Sequence, residues 1–195
     1  MEILNKSDFN SMRKEILDYD EQREHLIKKS RDVLKLSKQI IYAVHRGEIK
    51  EAEKLITEIN KEKSALEKFA KHSILMESEG SYKVALQEYA EALLYHSVVK
   101  NKTLATRKEL NLETIYYVLG LCDVTGELVR KAVYLAGKGQ TKEVLLIKDL
   151  VDTLYGELLA FDFRDNEVRR KFDAMKYDLK KLEDLVLELK LKGKM

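Results

Sequence analysis

Four carboxylates stand out from a chain in which charge is otherwise spread almost evenly. Charged residues make up 36% of the sequence, so a run of sixteen holds about six on average. The segment VALQEYAEALLYHSVV, Val84 to Val99, holds two, Glu88 and Glu91. The segment TIYYVLGLCDVTGELV, Thr114 to Val129, also holds two, Asp123 and Glu127. All four are acidic, and neither segment contains Lys or Arg. On helices, Glu88 and Glu91 are i,i+3 and Asp123 and Glu127 are i,i+4, so each pair shares a face. If the two helices pack together, four carboxylates converge where water is scarce. Burying ionised carboxylates without compensation costs several kcal/mol each, so they must protonate, find basic partners or bind a cation. Hard oxygen donors without His or Cys suit Mg²⁺, with Mn²⁺ as the alternative, ions that orient phosphates and activate water in phosphodiester chemistry. The competing reading is a set of partly buried salt bridges to lysines elsewhere in the chain.

Other metal chemistries fit less well. A ferritin-like di-iron bundle needs Glu-x-x-His on two helices, and no Glu here has His three residues later. All-α nucleotide pyrophosphohydrolases hold Mg²⁺ with paired acids on bundle helices. Their usual second pair is Glu-x-x-Asp, whereas this chain has Asp-x-x-x-Glu, and they remain the enzymatic alternative. Gly120 and Gly126 flank Asp123, and each costs about 1 kcal/mol relative to Ala inside a helix. Close helix packing, or room for a metal and its ligand, would offset that cost.

A second pattern is basic. Lys28, Arg31, Lys35 and Lys38 recur at steps of three, four and three, the spacing of one helix face. From Arg23 to Lys50 there are eight Lys or Arg and three Asp or Glu. Such a stripe can contact phosphates along a strand without reading sequence. Tyr42 and His45 continue roughly the same face, where they could stack on bases, and Arg46 follows. A plain solvated lysine face is the alternative.

The elements that must position these residues are helices. Proline is absent and Gly numbers eight, which permits long uninterrupted helices. Met12, Ile16, Tyr19, Leu26, Val33, Leu36, Ile40 and Val44 predict one long helix ending at Gly47. A second is expected from about Glu48 toward Gly80, and a third from about Ser81 to Val99. NKTLATRKELNLE reads as a loop in which Thr106 and Glu109 have capping-box spacing. Further helices are expected over about Leu112–Ala136 and Lys142–Ala160. A last one, capped by Asp165 or Asn166, runs to about Lys190. The reading is an all-α, single-domain antiparallel bundle of six or seven helices spanning 1–195. Leu182, Leu185, Val186, Leu189 and Leu191 are candidates for packing either within the chain or on another subunit.

Composition excludes several classes. Thirty-six basic and 34 acidic residues leave a net charge of +2, so any polyanion site must come from local segregation. One cysteine, Cys122, rules out an internal disulfide framework and fits a reducing cytoplasm. The segment MEILNKSDFN lacks the basic-then-apolar form of a signal peptide. No uncharged run approaches the roughly 18–20 residues that span a bilayer. The expectation is a soluble cytoplasmic protein without membrane contact.

The segments RDVLKLSKQIIYAVHR, LQEYAEA, GLCDVTGELVRKAV and NEVRRKFDAMKYDLKKLEDLVLELKLKG, in this order from Arg31 to Gly193, resemble the translin family. They look closer to its translin-associated factor X branch than to translin itself. The resemblance implies an all-α fold assembling into a hollow, barrel-like oligomer, usually an octamer. It also implies Mg²⁺-dependent endonucleolytic cleavage of single-stranded RNA. The family's acidic positions fall on Glu88, Glu91 and Asp123, with Glu127 as a further member. Single-stranded RNA or DNA is the implied partner, and a homo-oligomer is the simplest assembly. The alternative within the family is a protein that binds single strands without cutting them. One departure is local: relatives tend to carry a basic His-Arg type pair before LQEY, where this chain has Glu79, Gly80, Ser81 and Tyr82, with only Lys83 basic.

Overall fold

Seven helices account for almost all of the computed structural model, which describes residues 4–71 and 73–193. They are α1 (Lys6–Arg46), α2 (Ile49–Ala70), α3 (Ile74–Ser78), α4 (Gly80–Asn101), α5 (Thr114–Gly137), α6 (Thr141–Leu159) and α7 (Asn166–Leu191). No strand occurs among the described residues. The expected all-α bundle is the observed one.

Local capping chemistry sets several of the boundaries. Asn5 Oδ1 accepts the backbone N–H groups of Ser7 and Asp8 and starts α1. Gly47, at φ 78°, ends it in the left-handed conformation that glycine adopts without a Cβ penalty. Asp165 rather than Asn166 caps α7, accepting from Glu167 and Val168. Thr106 and Glu109 do form a reciprocal box, with Thr106 N–H donating to Glu109 Oε2 at 2.6 Å and Glu109 N–H to Thr106 Oγ1 at 3.3 Å. The box closes a turn rather than a helix. The expected second helix is divided: α2 stops at Ala70, and Ser73 Oγ accepts from Leu75 to begin the separate α3.

Helix α1 packs on α2 and α4, α4 packs on α5, and α5 packs on α6 and α7. Helices α4 and α5 therefore lie in the middle. Consecutive runs such as Ala85–Gln87 and Leu93–Tyr95 are buried on α4, so it has no wide polar face. That central position explains why these two segments are poor in charge.

The C-terminal stripe belongs mainly to the chain's own core. Leu182, Val186 and Leu189 are buried and Leu185 packs against the core, whereas Leu191 is exposed. Large apolar residues face solvent on the first turns of α1, at Phe9, Met12, Ile16 and Leu17, and also elsewhere, as at Ile74, Leu146 and Tyr177. No helix among the described residues is long and apolar enough to cross a membrane.

Candidate active site

The acidic residues are brought together by a close contact between α4 and α5. A Cβ added at Gly120 would lie 2.4 Å from Ala90 Cβ and 3.0 Å from the Glu91 backbone nitrogen. Only glycine lets the α5 backbone settle against α4 here, one residue from Glu91 and three from Asp123. Close packing thus offsets the helix cost of Gly120. Gly126 has no such crowding, since its nearest neighbour would be Asp178 Oδ2 at 3.7 Å.

The four carboxylates share one electrostatic field but have different partners. Burial, followed by the negative charges of Asp123, Glu88 and Glu127, pushes the Glu91 carboxyl up to about 8 from an ordinary 4.5. Glu88 is raised by burial too, and the charges of Lys38 and Lys171 oppose that rise. Neither Glu88 nor Glu91 has a hydrogen-bond or ion-pair partner among the described residues. Asp123 does: Lys171 Nζ reaches its two oxygens at 2.7 and 2.9 Å, and Gln87 Nε2 donates to Oδ2.

Glu127 is held from the far end of α1. His45 Nε2 donates to Glu127 Oε2, and the Tyr95 hydroxyl hydrogen-bonds with His45 Nδ1 at 2.9 Å. The imidazole thus sits between the Tyr95 hydroxyl and the Glu127 carboxylate, with one ring nitrogen toward each. The His45 hydrogen bond keeps the Glu127 carboxyl below the usual range despite burial, with the charge of Arg130 assisting. This corrects the expectation for His45. Its side chain is only 10% exposed and lies 4.7 Å from the Tyr95 ring, so it does not offer a face for stacking on bases.

The donors match a hard divalent cation in type, and the field on Glu88 and Glu91 has the sign that a cation relieves. Their convergence is incomplete. Among the described residues no three His, Cys, Asp or Glu side chains form a ready ligand set. The physical reason is visible in the partners, since Lys171 holds Asp123 and His45 holds Glu127. Sequence reading missed Lys171 and Gln87. Gln87 stood beside Glu88 in the LQEY segment, but Lys171 carried no signal distinguishing it from its basic neighbours on α7.

Lys28, Arg31, Lys35 and Lys38 are all exposed on α1 as expected. Arg31, Lys35 and Lys38 line an open groove of about 690 Å³ with Tyr42, a residue 57% exposed. Glu48 and Glu51 of the α2 side also border it. Arg46 is engaged locally, pairing with Glu48 at 2.8 Å and lying over the Tyr42 ring. Toward Lys28 the surface is balanced by Asp20, Glu21 and Glu24. Lys38 connects the two features, because its charge acts on Glu88. Before LQEY, Glu79 accepts from Tyr19 at 2.8 Å and Arg23 at 3.0 Å, tying the α3–α4 junction to α1.

Fold and site define an all-helical protein with acidic residues between two central helices and a basic groove beside them. The chain belongs to the translin family, whose pattern matches residues 21–193. It is 24% identical to Translin-associated protein X of Mus musculus over 229 residues, covering 95% of this chain and 78% of that protein. Among solved structures, apo-NeC3PO superimposes with a TM-score of 0.84 at 26% identity, covering 92% of this chain and 95% of that one. AfC3PO in complex with duplex RNA superimposes with a TM-score of 0.80 at 21% identity, covering 95% of this chain and 97% of that one.

Proposed function

We propose that this protein is a metal-dependent endoribonuclease that cuts single-stranded or short duplex RNA as a homo-oligomer, with an octameric barrel as the expected assembly. The observation that carries the reading is the pair Glu88 and Glu91, kept in a central seam without partners while Asp123 and Glu127 bear on the same field. Family membership and the duplex RNA bound to AfC3PO support RNA as the ligand. Single-stranded DNA, sharing the same backbone phosphates, is a further ligand on this reading.

Glu88, Glu91 and Asp123 would hold Mg²⁺ or Mn²⁺. When bound, such an ion polarises a phosphodiester and lowers the pKa of water. Glu127, kept ionised by His45 at Oε2, is the carboxylate suited to take a proton from the attacking water at its other oxygen, Oε1. Tyr95 holds the imidazole so that its N–H points at that carboxylate. Arg31, Lys35 and Lys38 would receive backbone phosphates and lead the strand toward Glu88.

A second reading has its own support. Lys171 already neutralises Asp123, as it would in a protein that binds strands without cutting them. End-labelled single-stranded RNA incubated with Mg²⁺, Mn²⁺ or EDTA separates the two. Metal-dependent cutting that falls at least about a hundredfold in Glu88→Gln/Glu91→Gln is the expected result. A salt-sensitive gel shift without cutting in any metal supports the binding protein instead.

A further inference from the structure

We propose that Lys171 of α7 is the resident counter-ion of Asp123, a positioning residue that a divalent cation must displace, so that metal affinity is set from α7. This rests on the metal reading above. Lys171 Nζ spans both carboxylate oxygens at 2.7 and 2.9 Å, and the two side chains are 22% and 21% exposed. A pair so enclosed is held more firmly than a surface pair, because water screens it less.

The acceptor capacity of Asp123 is nearly used. Each carboxylate oxygen offers about two lone-pair directions. Oδ2 receives both Lys171 and Gln87, and Oδ1 receives Lys171. An incoming cation therefore competes with the ammonium for the same lone pairs, and it is also repelled by the ammonium's charge. Both effects have the same sign. The absence of a ready three-ligand set among the described residues fits this, since the lone pairs of Asp123 are taken by Lys171 and Gln87.

Helix α7 does not depend on the Lys171–Asp123 clasp alone. Two residues along α5 and two turns along α7, Thr125 Oγ1 donates to Asp178 Oδ2 at 2.9 Å, and Val168, Met175 and Leu182 are buried on α7. Opening the clasp can leave α5 and α7 together, and a variant without the ammonium keeps these contacts.

The test is a calorimetric Mn²⁺ titration of the full-length protein, with thermal melting in EDTA to confirm folding. Lys171→Met is expected to bind Mn²⁺ at least about tenfold tighter than the unmodified protein, and Lys171→Gln to follow it in the same direction. Lys171→Arg, which keeps the charge and the bidentate contact, stays within about threefold of it. Equal or weaker binding by Lys171→Met and Lys171→Gln, with binding intact in the unmodified protein, overturns the counter-ion role and leaves the metal site standing. No Mn²⁺ binding in any of these proteins overturns both.

Discussion

Lys63 and Glu91 are both charged residues carried into the same bundle, and the fold treats them in opposite ways. Lys63 is almost fully enclosed, with a side chain 4% exposed, and every direction of its ammonium is answered. It donates to the Asn111 carbonyl at 2.7 Å, pairs with Glu67 at 2.8 Å and lies over the Tyr89 ring. Tyr89 in turn donates to Asn60 at 2.8 Å. Glu91, on the same helix as Tyr89, has no such partner. This chain can close a buried charge completely where the charge serves the fold. A seam in which two carboxylates are left open while a third and fourth stand nearby is a different kind of place, one where, on the proposed reading, a bound cation would return the stability given up.

That contrast can be broken from either side. The largest expected effect is on the closed network. Lys63→Met leaves Glu67 and the Asn111 carbonyl without their partner, and chemical denaturation is expected to show a loss of about 3 kcal/mol. RNA cleavage by the folded fraction should be unchanged; a neutral Lys63→Met would mean that the network is not structural. A smaller effect is expected at the contact that builds the open site. Gly120→Ala forces a methyl against Ala90, costing about 1–3 kcal/mol from overpacking, with about 1 kcal/mol returned by helix propensity. Because the displacement falls on Glu91, Mn²⁺ affinity should drop by more than stability does. An affinity left intact would separate the glycine from the site.

The parts of this molecule that were legible in its sequence are those written in local chemistry. Gly47 ended α1, Asp165 capped α7 and the Thr106–Glu109 box closed, because each signal and its target lie within a few residues. The acidic four were legible for another reason: central helices exclude charge, so any that remains there is conspicuous. What escaped was long-range. Lys171 meets Asp123 across 48 residues of sequence and His45 meets Glu127 across 82. Nothing in a lysine among lysines, or in a histidine continuing a basic stripe, announces such a partner. The α2–α3 break escaped because Ser73 as a cap looks the same as a serine on a helix surface. The C-terminal leucines were ambiguous because periodicity names a buried face without naming what buries it.

The most direct test of the central claim, that the open carboxylates are held against the interest of the fold, is thermal melting of the unmodified protein and Glu91→Gln in EDTA from pH 5 to pH 8, repeated with Mn²⁺. Glu91 titrates near 8 in the folded protein and near its ordinary 4.5 when unfolded. Between those values the folded state binds more protons than the unfolded state, so stability falls as pH rises. The unmodified protein should therefore lose a few degrees toward pH 8, Glu91→Gln should vary less and overtake it there, and Mn²⁺ should restore the unmodified protein alone. A Glu91→Gln variant that melts lower at every pH, with or without Mn²⁺, would show that Glu91 serves the fold and would contradict the account.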